Sequence, residues 1–117
     1  MKVLVCGSRN WTDKVAIRQR LLQLPFDTII IEGGARGADL MAREIALDIC
    51  LEVVEFPAAW KKHGKSAGIK RNIKMLETKP HLVIAFSDDL VVSKGTSHTV
   101  REARKRGIEV EVIGSRL

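Results

Sequence analysis

Three runs in this chain are apolar without a break: Val3-Leu4-Val5, Ile29-Ile30-Ile31 and Leu82-Val83-Ile84-Ala85. A half-exposed strand alternates polar and apolar residues, so unbroken runs mark strands covered on both faces. Segments with helical spacing separate them. Ile17, Leu21 and Leu24 fall on one face of a helix predicted over residues 13–24, with Thr12 or Asp13 as its cap. Further helices are predicted over residues 38–50, from Gly68 or Ile69 to Glu77, and over 97–106 with Gly107 just past the end. Strands are expected at residues 3–6, 28–31, 52–56, 82–86 and 109–113, with loops at 57–67 and 87–96. Strand alternating with helix requires right-handed crossovers and a parallel sheet. The last strand, Glu109-Val110-Glu111-Val112-Ile113, alternates and suits a sheet edge. The fold class is therefore α/β: a doubly wound parallel five-stranded sheet, in the order 3-2-1-4-5.

A chain of 117 residues has room for one core, so residues 1–117 are read as a single domain. Hydrophobic residues make up 45%, enough for a packed interior, and no apolar run approaches the ~20 residues of a membrane span. The start, Met1-Lys2-Val3-Leu4-Val5-Cys6-Gly7, is too short for a secretory signal and reads as the first strand. Cys6 and Cys50 are far apart, without a C-x-x-C pattern, and are expected to be buried free thiols of a cytoplasmic protein.

The formal charge of +6 suits either a nucleic acid or a polyanionic small molecule. Arg101, Arg104, Lys105 and Arg106 lie in the last turns of a predicted helix, where cations meet the helix dipole favourably. Lys61, Lys62, Lys65, Lys70, Arg71 and Lys74 have no such local reason and are the better functional candidates.

Each unusual segment follows the C-terminal end of a predicted strand: Gly7-Ser8-Arg9-Asn10-Trp11, residues 33–39, 57–72 and 87–99. Open α/β sheets bind ligands at that edge, near the point where strand order reverses, so one composite site is expected. Gly33-Gly34-Ala35-Arg36-Gly37-Ala38-Asp39 leads from a buried strand into a helix start, an arrangement whose backbone N–H groups can cradle a phosphate. Arg36 would close over that anion, and Asp39 would take a ribose hydroxyl. The alternative is a tight turn with a capping Asp. Gly95-Thr96-Ser97, preceded by Lys94, offers a second phosphate site or a plain helix cap. Arg71 reads as a bidentate clamp or as part of a solvated helix face, beside Asn72.

Other features are weaker. Gly64-Lys65-Ser66 mimics the end of a P-loop, but Ala59 stands where the pattern needs glycine. Trp11 and Trp60 follow strand ends and are expected to cover the core rather than stack on a base. Asp88-Asp89 reads as an acidic turn; the alternative is a water-mediated Mg²⁺ site accompanying a nucleotide. His63, His81 and His98 lack metal-ligand spacing, and no metal site is expected.

With these residues in view, the chain resembles the YspA-type (cpYpsA-related) family of the SLOG superfamily, which also holds the DNA-processing protein A (Smf) and Lonely Guy (LOG) Rossmann-like proteins. The resemblance runs through Gly7-Ser8-Arg9 with Trp11 and Asp13, Gly33-Gly34-Ala35 with Gly37-Ala38-Asp39, and Phe56-Pro57-Ala58 with Trp60. It continues through Gly64-Lys65 with Ala67-Gly68, Arg71-Asn72 with Met75, Ala85-Phe86 and Gly95-Thr96. It implies a Rossmann-like fold and a nucleotide-related ligand. LOG enzymes cleave the N-glycosidic bond of nucleoside monophosphates. Their Gly-Thr is followed by paired glutamates, whereas Gly95-Thr96 is followed by Ser97-His98-Thr99. Glycoside cleavage needs such a carboxylate, so the resemblance implies binding better than hydrolysis.

The leading expectation is a domain that binds a nucleotide or nucleotide-derived molecule, acting as a sensor. Gly7, Ser8, Arg9, Gly33, Gly34, Arg36, Gly37, Asp39, Lys65, Arg71, Asn72, Gly95, Thr96 and Ser97 are its ligand-binding candidates. The alternatives are a LOG-type hydrolase, with Asp39, Asp88 or Glu102 as acid/base and Arg71 as a further catalytic candidate, and a single-stranded nucleic-acid binder. Pairing of copies through helices is a further expectation from related folds.

Overall fold

Strand β1, Lys2–Gly7, is the centre of the sheet, and its side chains divide the interior in two. A computed structural model describes residues 1–115. Within it the chain continues through helix α1 (Lys14–Leu21), β2 (Ile29–Glu32), α2 (Ala38–Asp48), β3 (Glu52–Glu55), a short helix α3 (Trp60–His63), a 3₁₀ turn (Gly64–Ser66), α4 (Ala67–Glu77), β4 (Leu82–Phe86), α5 (Lys94–Lys105) and β5 (Glu109–Ile113). All pairings are parallel and the order is β3-β2-β1-β4-β5, as the apolar runs require. The fold is Rossmann-like α/β.

Alternation along β1 builds the two cores. Val3 and Val5 join Ile30, Ile84 and Phe86 under Ile17 and Leu21 of α1 and Ala42 and Ala46 of α2. Leu4 and Cys6 join Ile31, Val83 and Ala85 under Met75 and Leu76 of α4 and Val100 and Ala103 of α5. Each strand residue thus points to one layer of helices, the geometry of a sheet wound on both faces.

Several boundaries differ from expectation. Helix α1 stops at Leu21 because the N–H groups of Gln23 and Leu24 turn back only three residues, to Arg20 and Leu21, ahead of Pro25. Helix α2 ends at Asp48. Cys50 takes the left-handed turn after it (φ +66) while the Leu51 N–H returns to the Ala46 carbonyl. That position leaves Cys50 exposed, contrary to expectation; Cys6 is buried as expected. The loop at 57–67 contains α3 and the 3₁₀ turn, which sequence spacing could not reveal in four residues. Helix α5 starts at Lys94, three residues early. Among the described residues no helix is long and apolar enough to cross a membrane.

The strands leave an opening at their C-terminal end. β1 pairs with β4 through Gly7↔Phe86, but with β2 only as far as Leu4↔Ile31. The loops after β1 and β2 cross there, joined by the Ala38 N–H donating to the Ser8 carbonyl at 3.1 Å.

Candidate functional site: a cationic cleft at the strand ends

A cleft of about 410 Å³ opens at this crossing. The loop after β1 supplies Gly7, Ser8, Arg9 and Asn10, and the loop after β2 supplies Ala35, Arg36 and Asp39. Helix α4 adds Arg71, Asn72 and Met75; the segment into α5 adds Val92, Ser93, Lys94, Gly95, Thr96 and Thr99. Four cations therefore line the cleft, against one acid, Asp39, among the described residues. That charge imbalance favours an anion.

The glycine loop is organised differently from the expected cradle. Three of its N–H groups already have partners on this chain. Asp39 Oδ2 accepts from Gly33 N–H (3.1 Å) and Ala35 N–H (3.3 Å), and Glu32 Oε1 accepts from Gly34 N–H (2.7 Å). The glycines serve close packing. A Cβ on Gly33 would lie 2.8 Å from the Arg71 guanidinium carbon, and one on Gly37 would meet the backbone of Ser8 and Arg9. Asp39 thus braces the loop through one oxygen while lining the cleft. Burial pushes its carboxyl up to about 6, although the Ala35 and Gly33 N–H groups, Arg71 and Arg9 all pull the other way.

Arg71 is held as firmly. Its Nη1 donates to the Gly33 carbonyl at 2.6 Å and its Nε to Asn72 Oδ1 at 2.9 Å. Asn72 is buried and donates in turn to the Gly95 carbonyl at 3.3 Å, tying α4 to the start of α5. That start is open. Ser93 occupies the cap position of α5 but makes no side-chain capping bond, and its hydroxyl pairs with Ser87 at 3.1 Å instead. A Cβ built on Gly95 meets nothing within 4 Å. The first N–H groups of a helix have no partner within it, and such groups favour an anion.

Other expected site residues lie elsewhere. Lys65 and Ser97 do not line the cleft; Lys65 sits exposed in the 3₁₀ turn, and the Ser97 N–H belongs to the helix, donating to Ser93. Glu102 pairs with Lys105 and Arg106 on the surface, away from the cleft. Asp89 accepts the Val91 N–H within its own loop, and Asp88 accepts the Ser115 N–H from the segment after β5. Among the described residues no cluster of three or more His, Cys, Asp or Glu is placed to hold a metal. Trp11 covers the core against Phe86, as expected, but Trp60, the first residue of the short helix α3, is 52% exposed. Cys6 lines the cleft floor as a protonated thiol, raised chiefly by burial and further by Asp39.

Sequence reasoning missed Glu32. It is fully buried at the end of β2, and its Oε2 meets no hydrogen-bond partner among the described residues. Burial pushes its carboxyl up to about 8; the Gly34 N–H opposes this, and the Glu55 and Asp39 carboxylates add to it. The signal was visible as the one acid closing Ile29-Ile30-Ile31-Glu32. A folded-state value above the unfolded one means that the native protein keeps a proton the unfolded chain releases. The associated stability is full below about pH 4.5 and is lost as pH rises towards about 8. Glu32→Gln keeps the acceptor for Gly34 and removes the titration. In urea unfolding at pH 5, 6.5 and 8, the variant is expected to gain on the wild type as pH rises. A pH-independent difference would rule out a proton held at Glu32.

Residues 1–63 match the model of the YspA, cpYpsA-related SLOG family, and the Gene 61 protein of Mycobacterium phage D29 is 36% identical over 126 aligned positions, covering 98% of both chains. The chain belongs to the YspA, cpYpsA-related SLOG family. The matched region carries this SLOG protein's two crossing loops and Trp60, whereas Arg71 and the start of α5 lie beyond it. The solved structure of DNA processing protein A (DprA) from Streptococcus pneumoniae superposes with a TM-score of 0.77 at 20% identity, over 99% of this chain. That likeness concerns the fold, and the SLOG chain spans about half (51%) of the length of that protein.

Proposed function

We propose that the cleft binds a nucleotide or nucleotide-derived small molecule and that the protein acts by holding it, as a sensor would. The observation that carries this reading is the open start of α5, facing a cleft lined by Arg9, Arg36, Arg71 and Lys94. A phosphate there takes N–H bonds from the first turn of α5 and charge from the arginines. The glycine loop contributes shape and Arg36, since Asp39 and Glu32 occupy its first N–H groups. Asp39 remains the candidate for the ribose. Binding is favoured over hydrolysis because the second carboxylate candidate, Glu102, is paired outside the cleft. Calorimetry against nucleoside monophosphates and diphosphates, NAD and ADP-ribose tests the reading. Saturable binding by one of them is expected; no binding by any, with ligand in large excess, overturns it.

Gly95→Ala separates a binding role from a structural one. Alanine is a better helix former than glycine by up to about 1 kcal/mol, and open space surrounds the position. The variant is expected to melt at or slightly above the wild-type temperature, while its nucleotide affinity falls about tenfold as the methyl crowds the anion. Unchanged affinity in a well-folded variant would move the phosphate away from α5.

A second reading rests on Lys61, Lys62, Lys65, Lys70 and Lys74, which stand exposed along α3, the 3₁₀ turn and α4. Such a group of exposed lysines suits the backbone of a single-stranded nucleic acid, and the similar fold of DNA processing protein A adds to its interest. Oligonucleotide affinity that falls steeply with salt would favour it. Tight mononucleotide binding without oligonucleotide binding would exclude it.

A further inference from the structure

The cleft does not end at Arg36. A second hollow of about 490 Å³ continues past it, and Arg9, Ala35, Arg36 and Arg71 line both. The far wall of this second hollow is Pro57, Ala58 and Trp60. The indole is more than half exposed, on a chain whose other tryptophan is 4% exposed. A Cβ built on Gly68 would stand 3.5 Å from the ring edge at Trp60 Cη2, so the ring edge lies close to that glycine. The exposed indole thus offers an apolar ring surface in the same hollow as the guanidinium groups of Arg9, Arg36 and Arg71. Such a face takes a planar ring by stacking, with the cations serving whatever charged link reaches it.

Building on the nucleotide reading, we propose that the two hollows form one extended site and that Trp60 is a second subsite for a planar heteroaromatic ring. The ligand class is then a two-part molecule: a nucleoside whose phosphate lies at α5, joined through a diphosphate crossing the arginine waist to a second unit that carries a flat ring. A mononucleotide fills only the first part. Arg9, Arg36 and Arg71 are shared by both hollows because the link passes between them.

The test compares ADP, ADP-ribose and diadenosine diphosphate on the intact chain, by calorimetry and tryptophan fluorescence. ADP-ribose carries the diphosphate and second sugar without a second ring, so any gain over it belongs to the ring. Diadenosine diphosphate is expected to bind about tenfold more tightly than ADP-ribose, the scale expected when a base stacks on an aromatic side chain. It should also quench the emission of the exposed Trp60. Trp60→Ala should abolish both the gain and the quench while leaving ADP affinity within about twofold. Trp60→Phe should restore most of the gain, which a purely structural role for the indole would not require. The second subsite is overturned, with the nucleotide reading intact, if ADP binds but diadenosine diphosphate binds no more tightly than ADP-ribose. It is equally overturned if Trp60→Ala weakens all three alike. Absence of binding by all three overturns the nucleotide reading and this proposal together.

Discussion

Gly37→Ala is expected to destabilise the protein by about 3 kcal/mol or more, combining a glycine-only backbone conformation with a core-type clash. Gly37 has φ +82 and ψ −127, a region that side chains do not tolerate. The added methyl would also lie against the Ser8 carbonyl oxygen and 2.6 Å from the Arg9 carbonyl carbon. Both obstacles are backbone, so neither moves without pulling the loop after β1 away from the loop after β2. Gly107→Ala is the matched control. That glycine also has positive φ (+72), but nothing stands within 4 Å, so only about 1 kcal/mol of strain is expected. Urea denaturation of both variants measures the difference. Equal costs would mean that the two loops do not cross as closely as described.

Asp39→Ala comes next, at about 2–4 kcal/mol. It strands the Gly33 and Ala35 N–H groups, and an unsatisfied buried donor costs about 1–3 kcal/mol. Asp39→Asn retains an oxygen acceptor and should lose less than half as much. The pH dependence has a definite sign. Because burial raises the folded-state value to about 6, the native protein holds the proton longer than the unfolded chain does. The wild type should therefore be most stable relative to Asp39→Asn near pH 4, and lose that advantage as pH rises through about 6. The opposite trend would show that the carboxylate form is the one the loop stabilises. In both alanine variants nucleotide affinity should fall with the loop, whereas Gly107→Ala should bind as the wild type does.

The fold was legible because β1, β2 and β4 are buried on both faces and write that fact as unbroken apolar runs. The position of the cleft followed from the topology, since every unusual loop lies beyond a strand's C-terminal end. The detailed roles were not legible. Gly33, Gly34 and Gly37 look alike in sequence, but what each must avoid is a residue far along the chain: Arg71, Glu55 and Ser8 respectively. The glycine loop reads as a cradle because its N–H groups are assumed free, and only the fold shows Asp39 and Glu32 turning back to take them. Helix α3 is too short for a periodic signal, so the outward placement of Trp60 was lost with it.

The anchoring of Arg71 has a consequence for binding entropy. A free arginine side chain loses about 2 kcal/mol of rotamer freedom when a ligand fixes it. Here the Gly33 carbonyl and Asn72 hold the guanidinium before any ligand arrives, leaving donors of its five N–H groups for the incoming anion. The same carbonyl belongs to the braced glycine loop, and the same asparagine reaches the start of α5. On the proposed reading, an arriving phosphate would therefore meet three elements already fixed to one another, and its binding free energy would not be spent on ordering them.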